Sequence, residues 1–142
     1  PFMYKCRSAN SSIIKIRYAD ILLLKAEALI LKNNPDLEAA ANIIDEIRAR
    51  VGLSPLNQNV RSSKEALLNA YMNERRLELA FEGQRWFDLV RLGKIEEIMN
   101  KVNTRDSGRK TLAYPFDKNS YLLPVPQTAI DQNNNLHQNP GY

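Results

Sequence analysis

ERRLELAFEGQRWFDLVRLGK, residues 74–94, sets five basic and four acidic side chains around a central Phe-Glu-Gly-Gln-Arg-Trp-Phe. Charges this dense among aromatics fit a nucleic-acid surface, a catalytic carboxylate pair or a salt-bridged interior. On a helical wheel Leu68, Met72, Leu79, Gly83, Trp86 and Val90 share one face, with Ala70, Leu77 and Phe81 roughly opposite. A helix apolar on two sides is sandwiched between neighbours. Arg75, Glu78, Glu82 and Arg85 fall between those faces at spacings of three, four and three, where opposite charges on a helix meet. Near an interior such charges must satisfy one another, because a lone buried charge is costly. The pattern therefore predicts an ion-paired, partly buried helix in which Arg75 and Arg85 keep Glu78 and Glu82 ionised. An ionised pair is unsuited to general-acid work. Trp86, at helical spacing, reads as core and not as a platform for a base or a sugar.

Composition narrows the function classes further. The chain has 142 residues, 44% hydrophobic and 25% charged, which suits one globular domain with a substantial core. Its net charge of +4 comes from 20 basic and 16 acidic residues whose signs alternate along the chain. With no basic stripe to neutralise a run of phosphates, a nucleic-acid partner is not expected. Cys6 is the single cysteine, so no intrachain disulfide forms. No apolar run approaches the roughly 18 residues of a membrane span. His137 is the single histidine and no paired metal-ligand spacing accompanies it, so no metal site is expected. Asp131-Gln-Asn-Asn-Asn135 lacks the acidic alternation of a calcium loop and reads as a solvated turn. The five glycines are scattered, with no phosphate-cradling loop and no nucleophile motif. Catalytic residues and cofactors are thus expected to be none.

The rest of the chain reads as helical hairpins followed by a wrap. Residues 17–32 are apolar nearly all round, broken by Arg17, Asp20, Lys25, Glu27 and Lys32, so this helix calls for cover on most sides. Asn33-Asn34-Pro35-Asp36 starts the next helix, with Pro35 placed in its first turn and Asp36 beside its positive end. Leu37, Ala40, Ala41, Ile44, Ile47 and Val51 give that helix one apolar face, and Gly52 stops it. The short connection predicts an antiparallel pair. Ala28, Ala40, Ile44 and Ile47 resemble the small and bulky positions of a tetratricopeptide (TPR) hairpin. Residues 56–63 read as a loop, 64 to about 82 as a third helix, and 84–91 as a further helix. Ile95, Ile98, Met99 and Val102 mark a short amphipathic segment, and residues 103–110 a loop. Beyond residue 111 Pro115, Pro124, Pro126 and Pro140 leave room only for a turn at 128–132 and a brief extended run at 121–125. The spaced apolar residues Tyr114, Phe116, Tyr121, Leu122, Leu123, Val125, Ile130 and Leu136 predict that this tail drapes over helices. The fold class expected is mainly α: a helical-hairpin, TPR-like array with a long irregular Pro-rich wrap.

Four stretches in this order resemble the C-terminal part of the SusD/RagB family of outer-membrane nutrient-binding lipoproteins. They are IRYADILLLKAEAL (16–29), IIDEIRARVGL (43–53), the stretch at 74–94, and YLLPVPQTAIDQNNNLHQNPGY (121–142). The resemblance covers almost the whole chain. It implies that residues 1–142 are the C-terminal portion of a longer protein, with a helical core at about 16–102 and an irregular wrap at 103–142. The N-terminal repeats, signal peptide and acylated cysteine would then precede Pro1, consistent with a start that has neither an initiator Met nor an apolar leader. It also implies a cell-surface protein of the outer membrane, held there only through an N-terminal lipid anchor. Such a protein binds glycans, or less often peptides, without catalysis or cofactor, and passes them to a SusC-like TonB-dependent transporter. The family's ligand residues are expected mostly outside this stretch of chain, with Tyr114 and Phe116 as the candidates within it. Arg75, Glu78, Glu82, Gly83, Arg85, Trp86 and Asp88 form the family's structural signature here. The alternative is a stand-alone TPR-like module for protein–protein interaction.

Overall fold

The computed structural model describes residues 14–105 and 116–142. Seven α-helices are present among them: α1 Tyr18–Leu31, α2 Leu37–Arg50, α3 Gln58–Arg61, α4 Lys64–Glu78, α5 Arg85–Arg91, α6 Ile95–Arg105 and α7 Gln127–Gln132. A 3-10 turn covers Lys118–Tyr121, and no strand occurs among the described residues. The chain divides into two compact units, one ending at Arg85 and the other beginning at Trp86.

In the first unit α1 packs on α2 and α4, and α3 lies against α2 and α4. The buried stripe of α1 is Asp20, Leu23, Ala26, Glu27 and Ile30, at helical spacing. Ala40, Ala41, Ile44 and Ile47 answer it from α2, and Leu67, Tyr71 and Met72 from α4. Leu23, Ile30, Ile44, Leu67 and Tyr71 are fully enclosed. Each large apolar side chain buried in this way contributes about 1.5–3 kcal/mol. The small residues of the interior are Ala26, Ala40 and Ala41. Ala28, assigned that role from its spacing, faces outward instead, because α1 turns its 20–23–27–30 stripe inward. Cover on most sides of α1 is likewise not what α2 and α4 supply: Tyr18, Ile21, Leu24 and Leu31 remain exposed.

Helix ends follow local chemistry. Asp36 is itself the N-cap of α2, its carboxylate accepting from Ala39 N–H at 3.1 Å, so Pro35 sits before the helix and not in its first turn. At the other end Gly52 N–H donates to Ala49 O at 3.0 Å and Leu53 N–H to Arg48 O at 3.0 Å. That is the Schellman closure, and it needs the left-handed backbone that Gly52 adopts at φ 74°. Within 56–63 the chain forms α3 where a loop was expected, because Asn57 caps it by accepting from Val60 N–H at 3.0 Å. Helix α4 ends at Glu78, one turn earlier than its periodicity predicts, and the chain leaves it through Phe81 at φ 67° and Gly83 at φ 78°.

The second unit holds the C-terminal tail against its own helices. The Asn100 side chain of α6 donates to Phe116 O at 2.9 Å and accepts from Phe116 N–H at 2.8 Å. Further on, the Gln138 amide accepts from Val125 N–H at 2.8 Å and donates to Val125 O at 3.0 Å. Asn139 donates to Leu123 O at 2.6 Å, and the Tyr142 hydroxyl to Leu122 O at 3.2 Å. Side-chain amides thus do for the 121–125 run what a neighbouring strand does in a sheet. Gly141 has φ 97°, and a Cβ there would meet Asn119 Cβ at 3.0 Å, so no other residue fits the turn without displacement.

Around Gly52 there is open space for a Cβ, so Gly52→Ala carries backbone strain alone. Its expected cost is about 1 kcal/mol, measured as a lower urea midpoint with an unchanged slope.

Candidate functional site

The charged stretch of α4 was the candidate for chemistry, and its side chains now have partners. Arg75, 3% exposed, donates to Asp20 of α1 at 2.7 Å. Glu74 takes Arg48 of α2 at 3.0 Å. Glu78 and Glu82 are both held by Arg17, at 2.6 and 2.9 Å, and Glu78 also by Arg50 of α2 at 2.6 Å. The Glu78 and Glu82 side chains are only 7% and 6% exposed. Tyr71 of α4 donates to Glu27 of α1, and Arg61 of α3 bridges to Asp45 and Glu38 of α2. The α1–α4, α2–α4 and α2–α3 pairs are therefore each crossed by a charged or hydrogen-bonded contact.

Arg17 is the centre of this lattice. It stands at the N-cap position of α1, yet its guanidinium reaches α4, where it also donates to Glu78 O at 2.5 Å. A cation on the last carbonyls of a helix meets the negative end of the helix dipole. The sequence pattern assigns the stabilisation of Glu78 and Glu82 to Arg75 and Arg85 on the same helix; the structure brings Arg17 and Arg50 to them from other elements. Arg75 reaches α1, and Arg85 donates to Met72 O, within α4, at 3.3 Å. Asp88, buried in α5, pairs with Arg91 at 2.8 Å. The missed partner had a signal. Arg17, Asp20 and Glu27 are polar interruptions of an apolar helix at spacings of three and seven, hence on one face.

Burial disfavours the charge on Glu78, but the hydrogen bond and charge of Arg17, with Arg50 added, outweigh it and hold the carboxyl below the usual range. A carboxylate ionised so readily is a poor proton donor, and Glu82 shares the same cation. The lattice is built to hold helices in register. Among the described residues no group of His, Cys, Asp and Glu is placed to hold a metal ion.

Aromatic side chains make the second cluster. Phe116 meets Trp86 edge-to-face, with centroids 5.9 Å apart, and stacks with Tyr121 at 6.0 Å. Tyr121 donates to Glu96 of α6 at 3.0 Å; loss of solvent, then Glu96, push its hydroxyl pKa upward. Phe116 is half-buried among these partners, and Tyr114 lies outside the described residues. Trp86 is 38% exposed, so the core position assigned to it from helical spacing is only partly covered. The reason is the break after Glu78, which takes Trp86 off the wheel that aligned it with Leu68 and Met72.

Ion-paired carboxylates, a TPR-like helical layer and an amide-pinned tail make up the described residues, and comparison with known proteins gives the family. The model of the SusD family matches residues 3–142. The chain belongs to the SusD family. SusD-like protein P2 of Formosa agariphila is 36% identical over 143 residues, covering 96% of this chain and 27% of that relative. SusD-like protein P38 of the same organism is 40% identical over 100 residues, covering 66% of this chain and 20% of the relative. Among solved structures, a SusD-like protein from Bacteroides fragilis aligns with a TM-score of 0.65 and 32% identity, over 92% of this chain and 26% of its own. A SusD superfamily protein from Bacteroides vulgatus aligns at 0.70 and 28%, over 90% and 27%. The chain thus spans about a quarter of the length of the SusD-like proteins it matches over most of its length. No described helix is long and apolar enough to cross a membrane.

Two outcomes follow from the lattice. Arg17→Met leaves two buried carboxylates short of a cation and is expected to cost about 3 kcal/mol in chemical denaturation. The native chain keeps Glu78 deprotonated to lower pH than the unfolded chain does. Its stabilisation is complete above the ordinary carboxylate range and is lost as pH falls through the lowered value, so the acid dependence of stability should flatten in Arg17→Met. Trp86→Ala gives up a partly covered indole and its contact with Phe116. The expected cost is about 2 kcal/mol, short of the 3–5 typical of a fully enclosed Trp, read from the same denaturation curves.

Proposed function

We propose that this chain is the C-terminal portion of a non-catalytic, glycan-binding lipoprotein of the outer-membrane surface that delivers nutrient to a SusC-like TonB-dependent transporter. Family membership over residues 3–142 is the observation that carries the reading. Glycan binding and nutrient uptake are what membership in the SusD family implies. The portion reading is supported by the coverage of only 27% of the relative P2. It is supported also by the exposed stripe of Tyr18, Ile21, Leu24 and Leu31 on α1, which upstream helical repeats would cover. In this reading the helical core at 16–102 and the wrap at 103–142 form the scaffold end of the protein, and most ligand contacts come from the remainder. Aromatic faces there supply affinity and amide and guanidinium groups supply specificity. Tyr114 and Phe116 are this chain's own candidates for sugar contact. The ion-paired state of Glu78 and Glu82 supports a binding role over a hydrolytic one, since glycoside hydrolysis calls for one protonated carboxyl.

Affinity electrophoresis through a panel of polysaccharide gels tests the proposal, with this chain run beside its complete gene product. Retardation of the complete product alone is the expected result and places the ligand site outside residues 1–142. Retardation of both makes Tyr114→Ala and Phe116→Ala the next variants to run. If neither is retarded, the glycan reading fails and peptide or protein partners replace it.

A further inference from the structure

Between the 3-10 turn and α7 the chain is apolar and lies outside any helix. Leu122 is extended, at φ −102° and ψ 142°, and no strand runs beside it among the described residues. Leu122 is 56% exposed and Leu123 82%. In an extended chain the N–H and C=O of one residue point to the same edge, and alternate residues share that edge. Leu123 and Val125 therefore face one edge, with Leu122, Pro124 and Pro126 on the other. The second edge lacks donors at both prolines, so it cannot carry a hydrogen-bond ladder. The first edge keeps its donors, and it is the one that residues 138 and 139 cover. Gln138 accepts from Val125 N–H and donates to Val125 O, as a residue paired across a sheet does. Its acceptor oxygen also takes Asn139 N–H at 2.9 Å, which fixes the orientation of the amide, while Asn139 occupies Leu123 O. An exposed apolar edge with these groups left open is a template for a second chain.

We propose that Gln138 and Asn139 are an edge guard that keeps Leu123–Val125 from pairing, strand to strand, with the same run of a second copy of this chain. The occupant guarded against is a second copy because the run complements itself. Two copies meeting antiparallel about Pro124 set each Leu123 opposite a Val125, an apolar pair on both sides of the centre. Residues 121–126 carry no charge that would oppose this meeting. The inference does not rest on the glycan reading.

The test is size-exclusion chromatography with light scattering on the complete gene product, over a range of protein concentrations. Gln138→Ala frees both Val125 groups, and Asn139→Ala frees Leu123 O. Each variant is expected to shift from the parent's mass toward larger species as concentration rises, and the double variant further. Tyr142→Phe gives up the hydrogen bond to Leu122 O, on the edge that the prolines block, and is expected to keep the parent's mass. Adding Leu123→Lys to the double variant should restore that mass, because a charge on the edge opposes pairing and the exposed side chain leaves the interior untouched. Thermal melts identify the folded variants; where the double variant does not melt cooperatively, Asn139→Ala alone decides. Unchanged mass in the folded guard variants overturns the proposal. Association of Tyr142→Phe to the same extent overturns it too, since any loosening of the tail would then suffice. Association that persists with Leu123→Lys has the same consequence, because the contact then lies elsewhere.

Discussion

The first unit depends on one guanidinium. Arg17 stands where α1 begins and joins itself to the end of α4 through Glu78, its carbonyl and Glu82. Two carboxylates with so little solvent cannot remain charged without a cation, and neutralising them would forfeit the contact of Glu78 with Arg50 of α2. Helices α1, α2 and α4 are therefore constrained at one end by electrostatics and along their length by the packing of Leu23, Ile30, Ile44 and Tyr71. Apolar packing alone tolerates sliding of one helix on another. Fixed ion pairs at Arg75–Asp20 and Arg48–Glu74 restrict that freedom.

The same cation explains why α4 stops where it does. Continuing the helix through residue 82 would keep Glu78 and Glu82 on one face, four residues apart and one turn along the axis. The turn through Phe81 instead folds Glu82 back to the Nε of Arg17 while Glu78 keeps an Nη. Helix propensity and periodicity are local terms worth tenths of a kcal/mol per residue. Satisfying a buried carboxylate is worth several times more, and the helix yields. Trp86 and Phe87 owe their exposure to that break.

In the second unit the organising groups are amides. Asn100, Gln138 and Asn139 pair with backbone that prolines keep from forming regular structure, so the tail is specified by side chains in place of a hydrogen-bond ladder. A chain end of this kind is compatible with a scaffold that presents loops elsewhere. The aromatic trio of Trp86, Phe116 and Tyr121 joins the tail to α5 by ring contact, and the Tyr121 hydroxyl to α6. In this chain of the SusD family the conspicuous charged residues Arg75, Glu78 and Glu82 are thus ion-paired within the helical layer.

Much of this was legible in the residues themselves. The amphipathic spacing of α2, the stop at Gly52, the short α6 helix and the mainly helical character of residues 17–102 follow from periodicities and caps, which are properties of neighbouring positions. So does the expectation that Arg75, Glu78 and Glu82 are ion-paired, since charges at those spacings on a half-buried helix must find partners. The family resemblance rested on the order of four such stretches. The partners of those charges were another matter. Arg17 lies 61 residues from Glu78 and Arg50 lies 28, distances over which spacing carries no information and only the approach of α1 and α2 to α4 decides. The exposure of Phe81 and Trp86, and the choice of Ala26 over Ala28 as the small buried residue, are likewise set by which face each helix turns to its neighbours. Local sequence determined what each segment could be and where α2 began and stopped; long-range packing, with its steep cost for an unpaired buried charge, determined where α4 ended and what each segment touched.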